Sequence, residues 1–101
     1  MLHTIALMAG LASWYGPGFQ GHRTANGERF NTYDFTAASK TLPFDTKIKV
    51  MVLGTDRSVV VRINDRGPYV GHRILDLSYG AAKQLGILGK GTARVLLEVV
   101  K

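Results

Sequence analysis

The sequence predicts a small, mainly β domain closed into a barrel of about six strands, with one or two short helices. Apolar and polar residues alternate in several short runs, the period of half-buried strands. Twelve glycines among 101 residues supply many tight turns between them, and short strands joined by glycine-rich turns are the pattern of small barrels. A chain of 101 residues can build one hydrophobic core but not two, so a single domain over residues 1–101 is expected.

The first dozen residues are apolar, but no basic segment precedes them and Trp14-Tyr15 follows at once. They read as an entering strand, with residues 1–9 in part added or leader-derived. Residues 16–32 contain four glycines and several turn formers, and loops of that length in small domains are usually functional. Residues 35–38 form a short strand. From Thr46, Ile48, Val50 and Val52 share one face, and Lys47, Lys49 and Met51 the other. A turn at residues 54–57 then leads into a second strand, so the pair reads as a β-hairpin. Residues 74–77 make another strand. Ser78 caps a brief helix that turns Ala81, Ala82 and Leu85 inward and stops at Gly86. Residues 92–100 alternate once more.

Thirteen Lys and Arg against seven Asp and Glu give a net charge of +6. That balance favours polyanionic partners such as nucleic acid, an anionic membrane or an acidic cell-wall polymer. The basic residues are scattered, so no dedicated nucleic-acid arm is indicated and no nucleic-acid partner is expected. No run of about 18 apolar residues is present to span a membrane. The absence of Cys excludes disulfides and thiolate catalysis. His3, His22 and His72 do not have a zinc-ligand spacing, so neither metal nor cofactor is expected.

The run Val59 to Ile63 is followed by Asn64-Asp65-Arg66-Gly67-Pro68. A strand thus ends by presenting a carboxylate on a stiff mount, because Pro68 fixes φ and Gly67 admits backbone angles closed to other residues. The same residues also suit an Asx-type turn that merely ends the strand.

Four stretches together resemble the RlpA family of septal-ring lytic transglycosylases. They are Gly10-Leu11-Ala12-Ser13-Trp14-Tyr15-Gly16, Thr24-Ala25-Asn26-Gly27-Glu28-Arg29-Phe30, Thr36-Ala37-Ala38-Ser39-Lys40-Thr41-Leu42-Pro43-Phe44, and Val59 through Pro68 with Ile74-Leu75-Asp76-Leu77-Ser78 behind it. The resemblance implies a double-psi β-barrel that cleaves peptidoglycan glycan strands and leaves 1,6-anhydro ends on N-acetylmuramic acid. It implies a periplasmic or cell-envelope location, with a full-length parent of the outer-membrane lipoprotein kind, and a monomer is expected. The family's catalytic residues fall on Glu28, Asp65 and, at a position where the family has His, on Ser39. Serine has no titration near neutrality and cannot stand in for imidazole as a proton carrier. A non-catalytic, expansin-like glycan-binding module is therefore the alternative.

Asp65 is the expected general acid. Arg62 and Arg66 would favour its charged form if they point at it, and burial would favour the protonated form. Glu28 is expected to orient substrate or to shape the field around Asp65; the other reading is an exposed loop side chain. Asp76 precedes a helix start, where negative charge is favourable, and reads first as a residue of helix-start stabilisation and barrel closure. It is also a candidate active-site acid, through a weaker resemblance of its segment to expansins and related endoglucanases. Substrate-binding candidates are Tyr69, Trp14 and Tyr15 as stacking faces, with Arg66, Arg73 and Lys40 as partners for muramic or stem-peptide carboxylates, and Asp76. Alternation places Trp14 and Tyr15 on opposite faces, so at least one belongs to the core.

Overall fold

The structure, a computed structural model, describes residues 7–15 and 19–100. Among these, six strands and one helix follow in the order β1 (Leu7–Trp14), β2 (Thr36–Ala38), β3 (Lys47–Val52), β4 (Ser58–Asp65), β5 (Arg73–Leu77), α1 (Tyr79–Leu85) and β6 (Thr92–Val99). The strands close into a barrel in the order β1-β5-β2-β4-β3-β6. Two pairs are parallel, β1 with β5 and β2 with β4. The remaining pairs are antiparallel. This is the double-psi barrel, and closure removes the unpaired edges that an open sheet of this size would expose.

The expected alternation is what fills the interior. Ile48 and Val50 from β3, Val59, Val61 and Ile63 from β4, Leu75 and Leu77 from β5, and Val95 and Leu97 from β6 are all buried. The β3–β4 hairpin pairs Ile48 with Val61 and Val50 with Val59, so both strands turn these residues to one side. β1 includes Leu7 to Ala9, part of the segment read as leader-derived, and these pair with Glu98, Leu97 and Leu96 of β6. The remainder of that segment, and Gly16 to Gly18 of the long loop, lie outside the described residues.

Helix α1 closes one side of the barrel with Ala81, Ala82 and Leu85 buried, as the sequence predicts. Ser78 caps it by accepting from the Ala81 N–H, and Gly86 ends it in the left-handed conformation at φ 73°. The Ser78 hydroxyl also donates to the Asp34 carbonyl at 2.6 Å, which ties the helix start to the approach of β2. Gly80 N–H donates to the Thr32 carbonyl at 2.9 Å. A Cβ on Gly80 would lie 2.6 Å from the Tyr33 carbonyl oxygen, so this close approach admits only glycine.

Candidate active site

Strands β4 and β5 meet β2 at Ala38. Its register partners are Asp65 of β4 on one side and Asp76 of β5 on the other. With strands spaced roughly 4.8 Å apart, the two carboxyls rise on either side of one small residue. Ser39 follows at once, and its N–H donates to the Asp65 carbonyl at 3.2 Å. β1 brings Ser13 alongside Asp76 in register and Tyr15 just beyond it.

Asp65 is the last residue of β4. Gly67 behind it has φ 124°, and the Gly67–Pro68 peptide is cis. Both residues are buried, so the mount expected from sequence is present. The carboxylate does more than terminate a strand. Its Oδ1 accepts from the N–H of Ala25 at 2.8 Å and of Arg66 at 2.9 Å. Its Oδ2 accepts from the Tyr15 hydroxyl at 2.8 Å. The Ala25 bond reaches into the long glycine-rich loop and holds it over the strand end. Neither the Arg62 nor the Arg66 guanidinium bonds the Asp65 carboxylate. Arg62 turns to Glu28 and Asp45. Arg66 donates to the carbonyls of Ser39 and Leu42 at 3.3 and 2.9 Å and lies over the Phe44 ring at 4.0 Å. Arg66 is thus a clip for the 39–44 segment.

Glu28 is neither a free loop side chain nor a protonated acid. Arg62 donates to both of its oxygens, at 2.8 and 3.1 Å. Asn64 donates to Oε1 at 2.7 Å and Asn26 to Oε2 at 3.2 Å. Chiefly through the Arg62 hydrogen bonds, and against some burial, its pKa falls to about 2. A carboxylate this well supplied with donors stays ionised. Its nearest consequence is mechanical: Glu28 anchors the loop to Arg62 and Asn64, the latter adjacent to Asp65.

Asp76 has the opposite environment. Burial raises its pKa, and the Asp65 charge adds to that. The Ser13 hydroxyl, which donates to Oδ1 at 2.7 Å, and the charge of Arg73 act against it. Arg73 donates to Ser13 Oγ at 3.0 Å and to the Val70 carbonyl at 3.2 Å. Asp76 is a β5 residue placed before the Ser78 cap, and no acidic side chain lies in the first turn of α1. Its hydrogen bond is with Ser13 of β1 and its other register partner is Ala38 of β2, so Asp76 ties neighbouring strands of the barrel together just ahead of the helix. Ser13, 2% exposed, was not legible as a site residue; the signal available was a lone hydroxyl one step before Trp14 in an apolar strand.

The aromatic candidates separate. Trp14 is half-buried, packs against the core and meets Tyr79 edge-on, with ring centroids 5.8 Å apart. Tyr15 packs against Phe19 and Phe30 at 5.2 and 5.1 Å and spends its hydroxyl on Asp65. Tyr69, 73% exposed, is the one of the three with a largely open ring. Lys40 is exposed. Ser39 is buried, and its Oγ accepts from the N–H groups of Thr41 and Leu42 at 3.3 and 3.0 Å. Among the described residues no three His, Asp or Glu side chains are grouped to hold a metal ion; His3 lies outside them.

The sequence profile of the lytic transglycolase family matches residues 7–97. The chain is 58% identical over 95 residues to the probable endolytic peptidoglycan transglycosylase RlpA of Synechocystis, covering 94% of the chain and 30% of that protein. It is 57% identical over 91 residues to endolytic peptidoglycan transglycosylase RlpA of Campylobacter jejuni, covering 90% and 33%. The chain thus spans about a third of the curated relatives it matches. Among solved structures, a Streptomyces papain inhibitor superposes with TM-score 0.74 at 21% identity, over 95% of this chain and 96% of that one. The expansin of Clavibacter michiganensis gives the same score and identity, over 95% and 51%. At that identity the two structures speak to the barrel alone. With the match running through nearly every strand and through both site carboxyls, this chain belongs to the lytic transglycolase family, with the RlpA proteins among its relatives.

Proposed function

We propose that this domain is an endolytic peptidoglycan transglycosylase, cleaving MurNAc–GlcNAc strands to leave 1,6-anhydroMurNAc ends. The observation that carries the reading is Asp65, fixed on a buried Gly-Pro turn and flanked across Ala38 by a second carboxyl. The reaction needs a proton on the departing glycosidic oxygen and a nucleophile at the anomeric carbon. Here the nucleophile is the sugar's own 6-hydroxyl, so no water is consumed and one carboxyl can act twice. Asp65 gives its proton to the leaving oxygen, then takes the proton of the 6-hydroxyl as the internal C–O bond forms. Glu28, held ionised, fixes the loop that bonds Asp65 through Ala25. Tyr69, Arg73 and Lys40 are the groups with which to grip sugar faces and the carboxylates of the muramic or stem-peptide moieties. The substrate places the parent in the periplasm or cell envelope. No helix among the described residues is long and apolar enough to cross a membrane.

A specific observation favours a second reading. Ser39 stands where the family has His and uses its hydroxyl to cap its own turn, so an imidazole's proton chemistry is absent there. The domain would then bind glycan without cutting it. Digesting purified sacculi and weighing the released ends separates the two. Anhydro-muropeptides support the transglycosylase; intact glycan that co-sediments with the protein supports the module.

A further inference from the structure

The proposed reaction depends on where the Asp65 proton sits, and the surroundings of that carboxyl limit the choice. A carboxylate offers about four lone-pair positions. Two on Oδ1 are taken by the backbone N–H groups of Ala25 and Arg66, and one on Oδ2 by the Tyr15 hydroxyl. A single position on Oδ2 is left for a transferable proton. We propose that Tyr15 is a positioning residue of the reaction, which aims that proton by occupying the neighbouring lone pair of Asp65 Oδ2.

This rests on the transglycosylase reading but assigns Tyr15 a duty outside sugar stacking. The ring is well suited to it. Phe19 and Phe30 hold it at 5.2 and 5.1 Å, and its own N–H donates to the Leu77 carbonyl at 2.8 Å, locking it to the strand that carries Asp76. Burial first, then the bond to Asp65 and the charges of Asp65 and Asp76, hold the phenol well above its usual range. It therefore remains a neutral donor at any working pH. The Ala25 and Arg66 contacts are backbone N–H groups whose donor character no side-chain substitution changes. Tyr15 is the adjustable member of the set.

Removing the hydroxyl alone tests this, since Tyr15→Phe keeps the ring against Phe19 and Phe30. The groups around the carboxyl are then the Ala25 and Arg66 amides, with Asp76 across Ala38 and Arg73 beyond it. With a second position open on Oδ2, kcat on sacculi should fall roughly 10- to 100-fold with KM unchanged, less than the roughly 10²–10⁴-fold of the proton-transfer group itself because Tyr15 only aims it. The alkaline limb of the pH–activity profile, where Asp65 loses the proton it must donate, should move to higher pH, because the ionised form has lost a donor. A carboxyl-carbon NMR titration of Asp65 in wild type and Tyr15→Phe reads the same loss without turnover. A variant that folds with an unchanged Asp65 titration overturns the inference. So does one with wild-type kcat and pH profile where the wild type makes anhydro product. Absence of anhydro product from the wild type and from Ser39→His instead overturns the transglycosylase reading, and the catalytic duty of Tyr15 falls with it.

Discussion

Asp65 and Asp76 are neighbours of the same residue: Ala38, in the three-residue strand β2, pairs with one on each side. The two carboxyls nevertheless live in different surroundings. Asp65 is met by three donors, two of them backbone N–H groups. Asp76 is met by one hydroxyl and is raised chiefly by burial. Paired carboxyls with contrasting environments are a recurrent basis for dividing acid and base work.

Asp76 carries a stability signature of its own. A carboxyl whose folded pKa is raised favours folding below its unfolded pKa, and this contribution is lost as pH rises through the folded value. Its ionised form is held in a partly desolvated place. Asp76→Asn should therefore melt higher relative to wild type as pH rises from about 3 to about 7, across the usual carboxylate range, while turnover falls. Thermal melts of both proteins across that range check it. A difference in melting temperature that does not vary with pH would show that Asp76 titrates as it does in the unfolded chain.

Glu28 has the opposite sign. Its folded pKa of about 2 lies below the usual value of 4.5. The stabilisation is present above pH 4.5 and is lost as pH falls through the range down to about 2. Glu28→Gln should flatten that acid limb in a pH series of thermal melts. The Glu28 and Arg62 side chains are 35% and 31% exposed, so solvent screening keeps the effect modest. Parallel acid limbs in the two proteins would remove the ion pair as a stabilising element.

Ser39 serves its own turn, and that has two consequences. Ser39→Ala strips the acceptor from Thr41 and Leu42 and should lower stability by about 1 kcal/mol. Ser39→His supplies the imidazole that the resemblance implies for this position, and turnover should rise by a measurable part of the roughly 10²–10⁴-fold range of a positioned acid–base group. Its pH profile should gain a limb near the imidazole pKa, about 6.5. Equal yields of anhydro product from the wild type and the Ser39→His variant would show that this position carries no chemistry.

Much of the barrel was legible because its strands are half-buried. Ile48, Val50, Val61, Val95 and Leu97 declare an inward face by period alone, and Ser78 and Gly86 mark both ends of the helix. The closure of β1 between β5 and β6 was not legible, since pairing between distant strands leaves no local trace. The site divided along the same line. Asp65 on its Gly-Pro turn could be picked out because the mount is contiguous with the acid. Ser13 with Asp76, Tyr15 with Asp65 and Arg62 with Glu28 are separated by 63, 50 and 34 residues. Only the fold brings them together, so sequence alone reads Arg66 as a substrate ligand and Tyr15 as a stacking face.

The central claim, that Asp65 performs the bond cleavage, is tested most directly by mass analysis of glycan ends released from purified sacculi. The Ser39→His protein with Asp65 intact should release 1,6-anhydroMurNAc ends. The same protein carrying Asp65→Asn should release none, while melting close to its parent, because the amide oxygen can still accept from the Ala25 and Arg66 N–H groups. Anhydro ends at undiminished yield from the Asp65→Asn protein would contradict the account.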